Sequence, residues 1–449
     1  MHLSLRSRRP SAAVAASAAL ALLAAACTGT SSTGESDLSA SGKDVTITFW
    51  HGWSQGRETK AINDNITAFE KLHPNIHVKA VGNIADDKAE QALRAGGPGT
   101  PDVVSSFTTA NVGKFCSSKV WTDLGPLLKR DGIDPAKTFS PAMLKYTQYE
   151  GNQCSLPLLG DVFGLYYNKT AFAAAGITAP PKTFSEFDAD AMKLTITAGD
   201  TYKQLGFMPT FHGYENTPSG FLAQYGATYF GTDGKSNIAS DPKVAAMYAW
   251  QKGLVAKLGG YDKLEKYRTT FGDEFSTKNP FETGQVAMAF DGEWRTASLA
   301  EDKVAFEWAT APFPVPDDQA ATYGRGYQSG TIMGIARTSQ KQAAAWEFVK
   351  YVTTDTDALV TFANAIHNVP STMASLDSPK LDSGPAFRTF LEIAKNPYSN
   401  TTPATINGNA YQASMLTLGY DIESGRQPDL RQGLANTAKE INAAISQAK

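Results

Sequence analysis

The stretch VTITFW (residues 45–50) begins the pattern that decides the fold. Its apolar and β-branched residues are typical of a strand, and the segment that follows places Ile62, Ile66 and Phe69 on one helical face. The next elements continue the alternation: NIHVKAV (residues 75–81), DDKAEQALRA (86–95) and PDVVSSF (101–107). This order predicts an α/β fold with a parallel or mixed sheet covered by helices. Open sheets of this kind bind ligands beyond the carboxyl ends of their strands, so the loops after Trp50 and Phe107 are candidate binding loops.

The length and composition indicate a soluble globular protein with more than one core. The chain has 449 residues, of which 42% are hydrophobic and 19% are charged. Because a single hydrophobic core seldom serves so many residues, we expect two lobes.

The N-terminus has the pattern of an export signal. Arginines at positions 6, 8 and 9 precede an Ala/Leu run that ends in LLAAAC, with Cys27 as its last residue. We predict a signal peptide at residues 1–26 and a flexible tether at residues 27–43. LLAAAC resembles a bacterial lipobox, which would make Cys27 the lipidation site; cleavage by an ordinary signal peptidase is the alternative. Removing residues 1–26 would take the formal net charge from −3 to −6, which disfavours nucleic acid as a partner.

The remaining cysteines predict a disulfide. The chain has three cysteines, and lipid on Cys27 would leave Cys116 and Cys154 in an oxidising compartment. We expect these two to pair. Two separate buried thiols are the alternative, whereas the spacing does not suit a zinc site.

The second half of the chain contains further strands and helices between long loops rich in aromatic residues and glycine. FETGQVAMAFDGEW (residues 281–294) predicts an alternating strand that ends in an Asp-Gly turn, after which Trp294 follows. Upstream, Ser185 is the expected N-cap of a helix that follows a Pro-Pro pair.

Nine stretches, taken together and in order, resemble the extracellular solute-binding proteins of ABC sugar importers, the family related to maltose-binding protein. They are TFWHGWSQG, FEKLHPNIHVKAV, GTPDVV, LPLLGDVFGLYYNK, PPKTFSEF, FETGQVAMAFDGEW, APFPVP, AAAWEFVKYV and IESGRQPDL. None is specific alone, but their common order covers nearly all of the chain after the predicted signal peptide.

The resemblance implies the type II, periplasmic-binding-protein-like fold, in which a ligand cleft lies between two discontinuous α/β lobes joined by a hinge. We expect chain crossings near Pro157, near Pro312–Pro316 and near His367–Pro370. The expected segments are residues 44–156 and 313–369 for the N-lobe, and 157–312 and 370–449 for the C-lobe.

The same resemblance implies a substrate-binding lipoprotein that captures a sugar or oligosaccharide by lobe closure and delivers it to the membrane subunits of an ABC permease. We expect a monomer without enzymatic activity, cofactor or metal, anchored to the outer face of the cell membrane by its lipid. Nucleic acid is not an expected partner.

Several residues are candidates for binding the sugar. In the family pattern, Trp294 faces the cleft and stacks on a sugar ring, although a core tryptophan at a helix start is the alternative. Asp161 aligns with an acidic family position whose carboxylate accepts sugar hydroxyls, with a cap near the hinge as the alternative. The other candidates are His51 and Trp53 after the first strand, Thr108 and Thr109 after the strand PDVVSSF, Tyr323, Tyr327 and Gln328 in the loop TYGRGYQSG, and Tyr214 and Tyr411, which could equally be packing residues.

Two other functions compete with a sugar receptor. An exported glycoside hydrolase would use paired carboxylates, and Asp161 and Glu293 are the pair to test. A receptor for a polyol phosphate or a peptide would need clustered cations, but the candidate loops hold mainly Arg325, which favours an uncharged sugar.

His73 and His77 have helical ligand spacing, but the proline between them disfavours a metal site. The sequence also lacks the Gly-Lys-Ser/Thr of a phosphate-binding loop.

Overall fold

The computed structural model describes residues 43–54, 56–382 and 384–449. The predicted signal peptide, Cys27 and the tether up to residue 42 lie outside the described residues.

The strands of the described chain are β1 Val45–Trp50, β2 Ile76–Val81, β3 Val103–Ser106, β4 Gln148–Tyr149, β5 Asn152–Gln153, β6 Leu156–Asn168, β7 Ile196–Ala198, β8 Thr201–Phe207, β9 Val286–Gly292, β10 Trp308–Ala311, β11 Gln328–Ile335 and β12 Val369–Pro370.

The helices are α1 Gly56–Leu72, α2 Asp86–Ala95, α3 Asn111–Ser117, α4 Gly125–Arg130, α5 Pro135–Thr138, α6 Pro141–Lys145, α7 Lys169–Ala174, α8 Phe184–Leu194, α9 Pro218–Tyr225, α10 Pro242–Lys257, α11 Tyr261–Arg268, α12 Arg295–Asp302, α13 Gln342–Thr354, α14 Thr356–Ile366, α15 Met373–Leu376, α16 Pro385–Lys395, α17 Ala410–Glu423 and α18 Leu430–Gln447, with a 3₁₀ helix at Asp317–Thr322.

The first half of the sheet has the predicted βαβαβ order. β1 lies between β2 and β3 and is parallel to both. β11 then pairs with β3 in the antiparallel direction, so the sheet is mixed. The helix between β1 and β2 buries the predicted stripe of Ile62, Ile66 and Phe69, as its 3.6-residue period requires.

The second half of the sheet is joined to the first through β6. The early residues of this 13-residue strand pair with β11 and β12, and its later residues pair with β9 and β10. The change of partner falls between Val162, opposite Gln328, and Phe163, opposite Gly292. β8 and β7 extend this half beyond β9. One strand therefore belongs to both halves of the sheet.

Each half has its own aromatic core. In the first half, the ring of Phe348 meets those of Phe49 and Phe69 edge-on, with centroids 5.4 and 5.3 Å apart. In the second half, Phe313 meets Phe290 edge-on at 4.9 Å. Edge-to-face pairs add stabilisation beyond the burial of their area, so each half is consolidated by its own side chains.

Two local predictions were wrong. The N-cap of α8 is Thr183, whose hydroxyl accepts from the Glu186 backbone N–H while the Glu186 carboxylate accepts from that of Thr183. Ser185 lies inside the helix, because this reciprocal capping box starts the helix two residues earlier. Asp291 and Gly292 form the end of β9 and not a turn, and six of the seven residues of this strand are buried.

The predicted disulfide is confirmed. Cys116 of α3 is bonded to Cys154, which lies just before β6, with Cα atoms 5.7 Å apart. The bond closes a loop over 38 positions of the sequence. It ties the helix that follows β3 to the entrance of the shared strand.

Candidate functional site

The candidate site lies where β6 changes partners. Asp161 is opposite Ser329 of β11, whereas Phe163 is opposite Gly292 of β9. Residues two apart on a strand share a face. A partly exposed carboxylate and an aromatic ring therefore lie side by side, one on each side of the partner change.

Asp161 is held beside a second carboxylate by one amide group. The side-chain Nδ2 of Asn368 donates to Asp161 Oδ1 at 3.2 Å and to Glu293 Oε1 at 2.6 Å. The other oxygen of Glu293 accepts from the Val162 N–H at 2.7 Å, and Glu293 is fully buried. Burial raises the pKa of Asp161 to about 7 against the lowering effect of the Asn368 bond. Burial, and then the charge of Asp161, raise the pKa of Glu293.

Trp294 lies beside this pair at the N-terminus of α12. Its half-buried indole stands perpendicular to the ring of Phe163, with centroids 5.4 Å apart. Within the described chain, the buried Nε1 has no hydrogen-bond partner. A Cβ on Gly292 would lie 2.1 Å from the indole, so the absence of a side chain there makes room for the ring.

Tyr327 forms the other flank of Phe163, with ring centroids 5.2 Å apart. Burial raises the pKa of Tyr327 to about 12, and its side chain also interacts with Thr402 and Asp161. Gln328 is fully buried and donates to the Ile393 carbonyl at 3.1 Å. The structure thus brings together Asp161, Trp294 and Tyr327, while Gln328 anchors the start of β11 to α16.

The loops after β1 and β3 lie at one edge of the sheet. Phe107 is 46% exposed and meets Trp53 edge-on at 5.3 Å, whereas Trp53 is 4% exposed and His51, whose ring centroid is 5.5 Å from that of Trp53, is 2% exposed. Burial lowers the pKa of His51 to about 4, so its imidazole is neutral at pH 7. Thr108 is half-buried, and its backbone N–H donates to the Ser106 hydroxyl at 3.0 Å.

The remaining candidates differ in exposure. Tyr214 is 37% exposed, and its hydroxyl donates to the Gly272 carbonyl. Tyr411 is 1% exposed, its hydroxyl donates to the Pro403 carbonyl at 2.8 Å, and its ring packs edge-on against Phe230 at 5.2 Å. Thr109 is buried and Tyr323 is half-buried.

A second acidic group lies behind the site, around one arginine. Arg295 is 1% exposed and donates to Asp291 at 2.8 Å and to Glu282 at 3.2 Å. Burial alone would lower the pKa of Arg295, but these carboxylates raise it. Burial, with the charges of Asp291 and Glu274, raises the pKa of Glu215 to about 10, so Glu215 is protonated at neutral pH and can donate a hydrogen bond.

Four residues of the site were missed from the sequence. Phe163 could have been found, because it follows Asp161 by two positions in the apolar stretch LPLLGDVFGLYYNK. Phe107 ends the strand PDVVSSF and Glu215 follows Tyr214, so both had a positional signal. Asn368 lies in the predicted crossing at His367–Pro370, but its partners could not be found, because they are 207 and 75 positions away.

Residues 53–358 match the family described as bacterial extracellular solute-binding protein. The chain belongs to this family. Membership supports export of this solute-binding protein. Among the described residues, no helix combines the length and apolar character needed to cross a membrane.

Curated relatives of this solute-binding protein are distant. The maltotriose-binding protein of Pyrococcus abyssi is 21% identical over 287 residues, which cover 64% of this chain and 58% of the relative. The chain thus spans little more than half the length of that relative. The sn-glycerol-3-phosphate-binding periplasmic protein UgpB of Brucella abortus is 21% identical over 420 residues, covering 90% of this chain and 94% of the relative.

A solved structure shows the same fold. CpMnBP1 with mannotriose bound matches with a TM-score of 0.74 at 23% identity, covering 88% of this chain and 100% of that chain. The prediction of a two-lobed, periplasmic-binding-protein-like α/β fold is therefore confirmed.

Proposed function

We propose that this solute-binding protein captures an uncharged sugar or oligosaccharide between its lobes and delivers it to an ABC permease. The observation that carries the proposal is the arrangement of Trp294, Phe163 and Asp161 at the partner change of β6. A sugar ring has an apolar C–H face and a rim of hydroxyls. The indole complements the face, and the carboxylate accepts from the hydroxyls.

The proposed site divides its candidates by exposure. Trp294, Asp161 and Tyr327 contact the sugar from the floor, and Phe107, Thr108 and Tyr214 contact it from the surrounding loops. The four most buried candidates support these groups from behind: His51, Trp53, Gln328 and Tyr411. The maltotriose and mannotriose in the names of two similar proteins agree with this solute class.

We place the lobes close to the bounds that the sequence predicts, residues 44–156 and 313–369 for the N-lobe and 157–312 and 370–449 for the C-lobe, except that the first crossing moves into β6 and leaves Asp161 in the N-lobe. The partner change of β6 supports a first crossing at Val162 and Phe163, about five residues beyond Pro157. Rotation about the three crossings would close the cleft on the sugar.

A binding protein without enzymatic activity fits the carboxylates better than a glycoside hydrolase does. A hydrolase needs two carboxyl groups that both reach the scissile bond. Glu293 is fully buried, and each of its oxygens already accepts from Val162 or Asn368. It therefore lacks the access that either catalytic role requires.

A phosphorylated polyol is the second candidate solute, because UgpB covers nearly the whole chain. Phosphate recognition calls for arginine or lysine groups free to bind it. Arg295 is occupied by carboxylates, and Arg325 donates to the Tyr398 carbonyl and to Gln319. Both guanidinium groups are thus engaged within the protein, which favours the uncharged sugar.

We further propose that lipid on Cys27 anchors a monomer to the outer face of the cell membrane. Two acyl chains hold a protein at a membrane far better than one. Mass spectrometry of the membrane-extracted protein would test this: a diacylated N-terminal peptide beginning at Cys27 is expected, and an unmodified peptide beginning elsewhere would contradict it.

The solute proposal is tested by thermal-shift screening of the purified protein. The panel contains mono- and oligosaccharides, polyols, sugar phosphates and peptides, with product analysis of every hit. We expect a saturable rise in melting temperature with an uncharged sugar and no product, since ligand at a hundredfold excess over Kd stabilises by about 2.7 kcal/mol. Stabilisation only by phosphates, or turnover of a sugar, would refute the proposal.

A further inference from the structure

Asn368 links three segments of the chain that are remote in sequence. It lies between α14 and β12, directly after His367, whose backbone φ is 57°. β12 pairs with β6, with Val369 opposite Gly160. This register places Asn368 beside Asp161, and the end of β9 brings Glu293 to the same point.

The amide of Asn368 bridges two carboxyl groups that would otherwise repel each other when ionised. Asp161 and Glu293 are neighbouring carboxyl groups, and among the described residues neither has an ion-pair partner. Two carboxyl groups that contact the same amide are close enough for each negative charge to disfavour ionisation of the other. An amide N–H₂ group offers two donors and can satisfy one oxygen of each carboxyl group. Its contacts leave the second oxygen of the partly exposed Asp161 available, whereas both oxygens of Glu293 are occupied.

We propose that Asn368 is a positioning residue for solute binding, because its amide holds the Asp161 carboxyl group beside Trp294 and leaves one of its oxygens to accept from the solute. The inference rests on the proposed function. Without the amide, Asp161 and Glu293 would share one proton in a hydrogen bond between their carboxyl groups. Asp161 would then point towards Glu293 and would be a poorer acceptor for the solute. Asn368 would thus act through Asp161 without contacting the solute.

The titratable groups that face the pair are Tyr146, Tyr166, Tyr327 and Glu215. Burial raises the pKa of each tyrosine and of Glu215, so all four keep their protons between pH 6 and pH 8.5. Arg295 stays charged over the same range because Asp291 and Glu282 raise its pKa. Burial also raises the pKa of Glu282 to about 7, so the difference between variant and wild type, and not the slope of either alone, reports on Asp161 and Glu293.

The first arm of the test needs no solute. Thermal unfolding of wild type, Asn368→Ala and Asn368→Gln is measured from pH 6 to pH 8.5. The pKa of Asp161 is higher in the folded than in the unfolded protein, so the free energy of unfolding falls as the pH rises towards the folded pKa. Loss of the Asn368 hydrogen bond in Asn368→Ala should raise that folded pKa further. The deficit of Asn368→Ala against wild type should therefore grow with pH, and Asn368→Gln should recover part of it. A deficit that is constant with pH would overturn the proposal.

The second arm measures affinity by titration calorimetry for maltotriose, mannotriose and whichever sugar stabilises the wild type most. Asn368→Ala should weaken binding at least tenfold at pH 7, with the loss narrowing towards pH 8.5 as Asp161 ionises. In an Asp161→Asn background the same change should cost less than threefold. Asn364→Ala is the matched control, because Asn364 lies near the end of α14, four residues before Asn368, and donates to the Lys380 carbonyl at 2.9 Å.

The outcomes separate the two proposals. Wild type that binds no sugar would refute the proposed function, and with it the role of Asn368 in solute binding, while the first arm would still show whether the amide controls the carboxyl pair. If wild type binds a sugar and Asn368→Ala binds it with the same affinity, the positioning role alone is refuted.

Discussion

Replacing Trp294 with alanine tests the proposed site most directly, since it removes the ring that stands perpendicular to Phe163. Covering one indole face would remove roughly 60 Å² of apolar surface from water, which contributes about 1.5 kcal/mol at about 25 cal/mol per Å². Aromatic stacking adds about 0.5–1.5 kcal/mol. The sum of about 2–3 kcal/mol corresponds to a loss of affinity of roughly 30- to 150-fold.

The assay is titration calorimetry with the sugar that most stabilises the wild type, together with circular dichroism to verify folding. Trp308→Ala is the matched control. Trp308, in β10, is also half-buried, but its ring packs on that of Tyr166, with centroids 6.1 Å apart, and not on Phe163. We expect it to bind the sugar within about twofold of wild type. A folded Trp294→Ala variant with unchanged affinity would remove Trp294 from the site and refute the stacking argument.

Four further predictions follow from the same geometry. Sugar affinity should fall from pH 8 to pH 6, because burial raises the pKa of Asp161 to about 7 and protonation replaces a charged acceptor with a weaker neutral one; calorimetry across this range should show no such slope for Asp161→Asn. Phe107→Ala should weaken affinity by roughly fivefold or more with little change in melting temperature, since the ring is 46% exposed; equal affinity would exclude Phe107 from the site. Cys116→Ser should lower the free energy of unfolding in urea by about 2–4 kcal/mol, given the 38-residue separation, and an unchanged midpoint would contradict that role. Arg295→Met should cost about 3–5 kcal/mol in the same assay because it leaves Asp291 and Glu282 buried without a cation; a loss below 1 kcal/mol would mean that these groups are protonated.

Local periodicity was sufficient to predict much of the fold. The strand at residues 45–50, the buried stripe of α1 and the helix at residues 86–95 all follow from the spacing of apolar residues, which is a local property. The disulfide followed from the number of cysteines and the expected compartment. The N-cap of α8 could not be decided in this way, because Thr183 and Ser185 are both good caps and only the reciprocal bond to Glu186 selects Thr183.

The site was less accessible from sequence, for a physical reason. Asp161 and Trp294 each lie in a stretch with a family pattern, so the resemblance identified them singly. Their surroundings depend on which strands are neighbours, and this is set by the antiparallel pairing of β6 with both β11 and β9. The bridging contacts of Asn368 arise from that long-range arrangement, since its partners lie 207 and 75 positions away.

The partner change in β6 also bears on how binding could close the lobes. Asp161 is paired with strands of the first half of the sheet, whereas Phe163 and Trp294 belong to the second, so a sugar that contacts both would oppose rotation of the halves apart. Moving a population from almost entirely open to almost entirely closed takes about 5.5 kcal/mol of differential binding. Stacking on Trp294 alone involves only the second half, so it forms in the open state as well and adds nothing to this difference. The difference must come from contacts that form only when the halves approach. Only a contact shared between the halves distinguishes the closed state from the open one. The Asp161 carboxylate, which Asn368 positions beside the indole, therefore favours the closed state more than a second aromatic ring on the lobe of Trp294 would.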